Sequence, residues 1–258
     1  MNTLVNSPER VITEVGVIMS GAASVNGQRL MADGSDLLRT LRQSRASAIL
    51  LDPDVIESPW NVVKQYITIN QSGTIMQSSK LPDLRKIYFV HRDKKENSSS
   101  DFLGFLKLFK SFYQCPDLSE DNLVTVYTTS GSTGYSKLVP APHKFLIDLI
   151  LASGNIETVS TTVSLNVGPL GWLGASVFLN IAEGRTKVLC DVRAEGQPED
   201  IVAFLMAMID KENVSQAIIG PQHIPDLAEK FKSEAFSKKL KLLILGGLPI
   251  SKVIVKAG

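Results

Sequence analysis

The chain has 258 residues, and at roughly 150 residues per domain it allows one large or two small domains. Apolar residues make up 44% and charged residues 21%, a globular balance rather than a disordered one. Lys and Arg number 27 against 26 Asp and Glu, a formal net charge of +1, so the basic excess of a nucleic-acid or anionic-membrane binder is missing. Cys115 and Cys190 are too few for a disulfide scaffold or a zinc cluster, which points to a reduced compartment. No apolar run approaches the roughly 18 residues of a membrane span. Glu9, Arg10 and Glu14 interrupt the first apolar stretch, which makes a poor signal peptide. The expectation is a soluble, intracellular protein with no nucleic-acid partner.

In chain order, Ser35 is the expected N-cap of a helix with Leu37, Leu38 and Leu41 on one face. Ala48–Leu51 and Ile87–Val90 have strand length and are apolar on both faces. Residues 92–101 lack apolar anchors and predict a polar surface loop or a linker between two halves of one domain. Leu123–Tyr127 predicts a further strand, and Phe145, Leu146, Leu149 and Ile150 form a helical face after Pro140 and Pro142. Beyond it come a strand at Lys187–Leu189, a helix after Pro198 with Ile201, Phe204, Leu205, Met208 and Ile209 on one face, and strands at Ala217–Ile219 and Leu242–Leu245. There is no internal repeat. Alternation of this kind predicts an α/β fold with open, largely parallel sheets and covering helices.

One stretch stands apart: Tyr127-Thr128-Thr129-Ser130-Gly131-Ser132-Thr133-Gly134-Tyr135-Ser136-Lys137-Leu138-Val139. Glycines let a backbone turn sharply and aim successive N–H groups at one anion. The hydroxyls add donors, and Lys137 adds a mobile cation suited to a terminal phosphate. The loop is not a Walker A motif, since Ser136 stands where that motif has Gly before its Lys. Composition alone also fits an ordinary flexible Ser/Gly turn.

The order of residues decides more than composition. Thr129 to Lys137 resembles the signature loop of adenylate-forming enzymes: acyl-CoA synthetases, coumarate–CoA ligases, beetle luciferases and peptide-synthetase adenylation domains. Ser136 stands where that family most often has Pro, and Leu138 where Gly is commonest. A second match, Leu240 to Ser251, looks like the strand and Gly-Gly-Ala-Pro turn that lines the family's adenine pocket, with Leu248 in place of Ala. Glycine there allows a flat ring close to the backbone. Asn166 to Gly174 falls where the family has a Pro-Leu-aromatic segment beside the acyl pocket; Trp172 lines that pocket or serves as a core Trp. Gly220 to Pro225 falls at the family's strand end and Pro-containing helix start. Gly16 to Ala23 resembles a strand and turn of the same domain. His143 fits the start of the helix after the loop, whereas His91 and His223 read as surface or structural residues. The three histidines show no metal-ligand spacing, so no metal ligand is assigned.

The resemblance implies an ATP-dependent, AMP-forming acyl-CoA synthetase, an activity of fatty acid metabolism. A small-molecule carboxylic acid would become an acyl-adenylate and pass to coenzyme A. Thr129, Ser130, Gly131, Ser132, Thr133 and Gly134 would hold the β- and γ-phosphates, with Lys137 as the catalytic cation on the terminal one. Gly246, Gly247 and Leu248 would border adenine, and Trp172 the substrate pocket. In the family a Tyr-Gly-x-Thr-Glu segment brings the Glu that helps bind Mg2+, followed by a ribose-binding Asp and a small C-terminal lid domain with a catalytic Lys. None of these occurs in this sequence. Residues 1–258 are therefore expected to be a central part of the large AMP-binding (adenylation) domain, incomplete at both ends and inactive alone. The alternative is a fragment or splice form acting only through weak nucleotide binding or a partner protein. The resemblance leaves cytoplasm and peroxisome both open as the location. An unrelated phosphate-binding protein such as a kinase would need an acidic magnesium ligand after a strand, where Asp52 and Asp191 stand; the setting of Lys137 argues against it.

Overall fold

Helix α1, Pro8–Met19, starts on a complete signal. The Ser7 hydroxyl accepts the Arg10 N–H at 3.2 Å, Pro8 follows at the first helical position, and Glu9 lies in the first turn. The helix closes through Gly21, at φ +77°, with the Ala22 N–H returning to the Val17 carbonyl at 3.2 Å. This corrects the strand expected over Gly16 to Ala23: Val17 to Met19 is the last turn of α1, and strand β1 is only Ser24–Val25. Once a helix is nucleated by a cap, each added residue brings a hydrogen bond, and a short apolar run does not stop it.

The structure is a computed structural model that describes residues 1–27, 34–55, 57–91, 114–129, 135–153, 163–190, 200–233 and 240–246. The polar segment 92–101 and Asp191 lie outside them. The chain divides into two compact units, Met1–Phe145 and Leu146–Gly258.

In the first unit, helix α2 is Ser35–Gln43. Its N-cap is Gly34 at φ +71°, not Ser35, because Gly34 lies against Val62, where a built Cβ would come within 2.4 Å of the side chain. Strand β2 (Ala48–Leu51), helix α3 (Trp60–Val63), strands β3 (Ile67–Ile69), β4 (Ile75–Ser78), β5 (Lys86–Phe89), β6 (Leu123–Thr129) and β7 (Lys137–Pro142) follow. β1 pairs with β6 and β2 with β5, both parallel; β3–β4 and β6–β7 are antiparallel. Residues 1–3 join β1 to β2: the Asn2 N–H donates to Val25 O at 2.8 Å and the Leu50 N–H to Met1 O at 2.9 Å. As expected, β2 is buried on both faces, with Ile49 and Leu51 in one cluster with Leu37 and Ile87, and Leu50 in another with Leu4 and Val90.

The inner face of α1 is polar. Arg10 and Glu14 are both buried, and Asn26 bridges them. Arg10 Nη2 donates to Asn26 Oδ1 at 2.9 Å, while Asn26 Nδ2 donates to Glu14 Oε1 and to Thr125 Oγ1, each at 2.9 Å. Burial pushes the Glu14 carboxyl above its usual range, against the pull of Arg10 and the Asn26 amide.

The second unit holds helix α4 (His143–Ser153, whose first residues close the first unit), strand β8 (Val163–Asn166), helix α5 (Phe178–Ala182), strand β9 (Thr186–Leu189), helix α6 (Ile201–Lys211), strand β10 (Gln216–Ile219), helix α7 (Ile224–Ser233) and strand β11 (Leu242–Leu245). The sheet order is β11-β10-β8-β9, parallel throughout. Asp200 caps α6 by accepting the Ala203 N–H at 2.8 Å. Leu165, Ala217 and Ile219 on one sheet face pack with Leu205, Ile209 and Leu227 of α6 and α7.

Asn26→Ala removes the bridge and leaves a buried guanidinium and carboxyl without their shared partner, which is expected to cost about 3 kcal/mol. Urea unfolding measures this; a loss below about 1 kcal/mol would show that the network does not hold α1 on β1 and β6.

Candidate functional site

Strands β6 and β7 run antiparallel with Thr129 opposite Lys137, so the expected phosphate loop joins the two ends of a hairpin. Ser130, Gly131, Ser132, Thr133 and Gly134 lie outside the described residues; Thr129 and Lys137 are exposed at its two feet. Strand β7, Lys137–Pro142, precedes the helix expected after Pro140 and Pro142. β7 is the edge of the order β1-β6-β7, where a missing N–H need not break a ladder. Helix α4 then begins at His143, as expected, with the His143 N–H on Asn122 O at 3.0 Å.

The arm of the loop that leads into β7 is tied to helix α2. The carboxylate of Asp36 accepts the Ser136 N–H at 2.9 Å on one oxygen and the Ser136 hydroxyl at 2.7 Å on the other. Asp36 is buried and lies in the first turn of α2, where a negative charge is favoured. One turn on, the Arg39 guanidinium lies 4.7 Å from the centre of the Tyr135 ring. The departure from the family pattern at Ser136 is what permits this bond, because proline has no N–H to offer. Asp36 and Arg39 were not legible as site residues. Their only sequence signal is helical spacing on α2, and nothing links them to a loop 100 residues away.

In the second unit the structure brings together two of the expected site residues. A Cβ built on Gly174 would meet the Trp172 ring at 2.8 Å, one on Gly168 at 3.1 Å, and one on Gly246 at 3.6 Å. The indole therefore lies on three glycine backbones. Gly247 and Leu248 are outside the described residues.

Beside this cluster is a cavity of about 220 Å³ on the sheet face opposite α6 and α7. Leu146, Leu149 and Ile150 of α4 with Phe178 of α5 form its apolar wall, and Asn166 and Lys187 lie on its sheet side. Leu173 and Gly174 also border it, while Trp172 itself does not. Lys187 Nζ donates to Ala175 O at 2.6 Å and Ser176 O at 3.2 Å. Burial lowers its pKa to about 8.

The remaining candidates have local roles. Asp52 Oδ1 accepts the Asp54 N–H at 2.9 Å in a turn, and His91 Nδ1 meets Asp54 Oδ2 at 2.7 Å. Burial lowers the pKa of His223, against the pull of Asp226. Among the described residues no three His, Cys, Asp or Glu side chains converge to hold a metal.

Asp36→Ala leaves the Ser136 N–H and hydroxyl unpaired, an expected loss of about 2 kcal/mol with faster hydrogen exchange at the Ser136 amide. Unchanged exchange there would show that Asp36 does not hold the loop. Gly174→Ala is expected to displace the indole and cost about 1–3 kcal/mol, whereas Gly246→Ala meets it at ordinary contact distance. Trp172 fluorescence in a Trp60→Phe background reports both; equal spectra for the two variants would contradict this packing.

The family model described as AMP-binding enzyme matches residues 3–257. No curated protein sequence matches the chain. Among solved structures, the chain is similar to an anthranilate CoA ligase in complex with anthranoyl-AMP, with TM-score 0.78 and 16% identity over 99% of this chain and 46% of that one. It is similar to a luciferase-like enzyme from the nonluminescent Zophobas morio mealworm, with TM-score 0.74 and 15% identity over 99% of this chain and 55% of that one. A long-chain-fatty-acid–CoA ligase from Archaeoglobus fulgidus gives TM-score 0.75 and 16% identity, with 99% and 47% covered. At these identities the likeness is one of fold. The chain spans about half the length of these structures. On the match to its family model, the chain belongs to the AMP-binding (adenylate-forming) enzyme family.

Proposed function

We propose that this chain carries the nucleotide-holding loop and the acid cavity of an ATP-dependent, AMP-forming acid–thiol ligase of the acyl-CoA synthetase type. Both units would be parts of one large adenylating domain. A carboxylate oxygen attacks the α-phosphorus of ATP and pyrophosphate leaves; the thiolate of coenzyme A then attacks the acyl carbon and AMP leaves. The first step needs donors around the departing pyrophosphate. Thr129, Ser130, Gly131, Ser132, Thr133 and Gly134 would supply amides and hydroxyls, and Lys137 the catalytic positive charge. Gly246, Gly247 and Leu248 would border adenine. The cavity on the β8–β9–β10 face would take the acid, with Trp172 between it and the adenine side.

The observation that carries this reading is the tie from Asp36 to Ser136, which holds one foot of a hydroxyl-rich hairpin loop with Lys137 next in line. The described residues supply no cluster of carboxylates for magnesium. Lys137 and the loop donors would be this chain's share of the positive charge around the ATP tail, beside Mg2+.

ATP is expected to raise the melting temperature, since at a hundredfold excess over Kd a ligand adds about 2.7 kcal/mol to stability. Lys137→Ala should remove most of that gain, and a gain that survives the substitution would overturn the role of Lys137. Pyrophosphate exchange with added acids separates an active ligase from a chain that binds nucleotide without turnover.

A further inference from the structure

The cavity in the second unit has two chemically different sides. Its α4 and α5 sides are leucine, isoleucine and phenylalanine apart from Asn180, whereas the sheet side includes Lys187 and Arg185 and no carboxylate. Arg185 is already neutralised, its Nε lying 2.7 Å from Glu183 Oε2. Lys187 is not: its contacts are the Ala175 and Ser176 carbonyls and Asn180 Oδ1 at 3.5 Å, all neutral, and no described carboxylate lies within ion-pair distance. Elsewhere on the cavity surface, β8 offers Ser164 and Asn166, β10 offers Gln216 and Ile218, and α4 offers Leu146, Leu149 and Ile150. Asp148 of α4 is exposed and outside the lining.

A half-buried ammonium held only by neutral oxygens lacks the counter-charge that normally offsets its desolvation. Resting on the reading of this cavity as the acid site, we infer that its acid carries a second anionic group at the far end of a short apolar chain, held by Lys187. The apolar walls would enclose the chain and Lys187 would receive the distal carboxylate. A dry cavity of about 150 Å³ takes a benzene ring, so about 220 Å³ suits a molecule with about nine non-hydrogen atoms, the size of a short diacid. The lowered pKa fits a site that waits for an anion: burial without a counter-charge favours the neutral amine, and a bound carboxylate restores the ammonium.

The test compares adipate with hexanoate, which share a chain length and differ in the terminal carboxylate, by calorimetric titration of the full chain. This needs neither ATP nor turnover. Adipate is expected to bind about tenfold or more tightly than hexanoate at pH 7, a preference that Lys187→Met abolishes and Lys187→Arg retains. The preference should shrink as pH rises past about 8, because the group that holds the anion loses its proton there. A lysine that only clamped the turn at Ala175 and Ser176 would leave the two acids alike and the pH profile flat. Equal affinities, no binding of either acid, or a preference that survives Lys187→Met would overturn the inference. Failure of the acid-ligase reading is told apart separately: the chain would then gain no stability from ATP, whichever acid it binds.

Discussion

The site depends on one buried carboxylate. Asp36 lies in the first turn of α2 and takes both the N–H and the hydroxyl of Ser136, so its two oxygens share the work of holding a segment far away in sequence. A buried charge is tolerated only when hydrogen-bonded, and the pair therefore constrains both partners: α2 must present Asp36 inward, and the loop must bring Ser136 to it. The Leu37, Leu41 and Leu138 packing of the same unit supports that position. In the proposed reading, fixing Ser136 next to Lys137 lowers the ordering entropy that an incoming anion must overcome.

The second unit solves a different problem with backbone rather than charge. Gly168, Gly174 and Gly246 let the Trp172 ring lie against three glycine backbones at once, and a side chain at Gly174 would push it off. One face of the sheet is filled by α6 and α7; the other keeps a cavity and a lysine. An apolar filling would have made that second face a core like the first. The cavity is where this unit departs from plain packing, and such departures mark function more often than stability.

Much of this is legible in the sequence. Ala48–Leu51 is apolar at every position, as a parallel strand covered on both sides needs, and Leu242–Leu245 is apolar throughout at the edge of its sheet. The helix at Ile201–Lys211 was legible from its period, although its cap, Asp200, was not singled out. β8 escaped notice because Ser164 and Asn166, which face the cavity, break its apolar run. β7 escaped because two prolines read as a break, and they are tolerated only where the strand is an edge. At Gly16 to Ala23 the capped start at Ser7 and Pro8 outweighed an apolar run. The loop itself was found by the order of its residues. Its partners Asp36 and Arg39 were not, since a contact between distant segments leaves no trace in spacing, and the same holds for Lys187 above its three neutral acceptors.

A crystal structure of the chain with a non-hydrolysable ATP analogue tests the central claim most directly. The expected result has the triphosphate oxygens within hydrogen-bond reach of the segment between Thr129 and Lys137, with Ser136 still on the Asp36 carboxylate. A nucleotide seated elsewhere, or a hairpin released from α2 when nucleotide is bound, would contradict it.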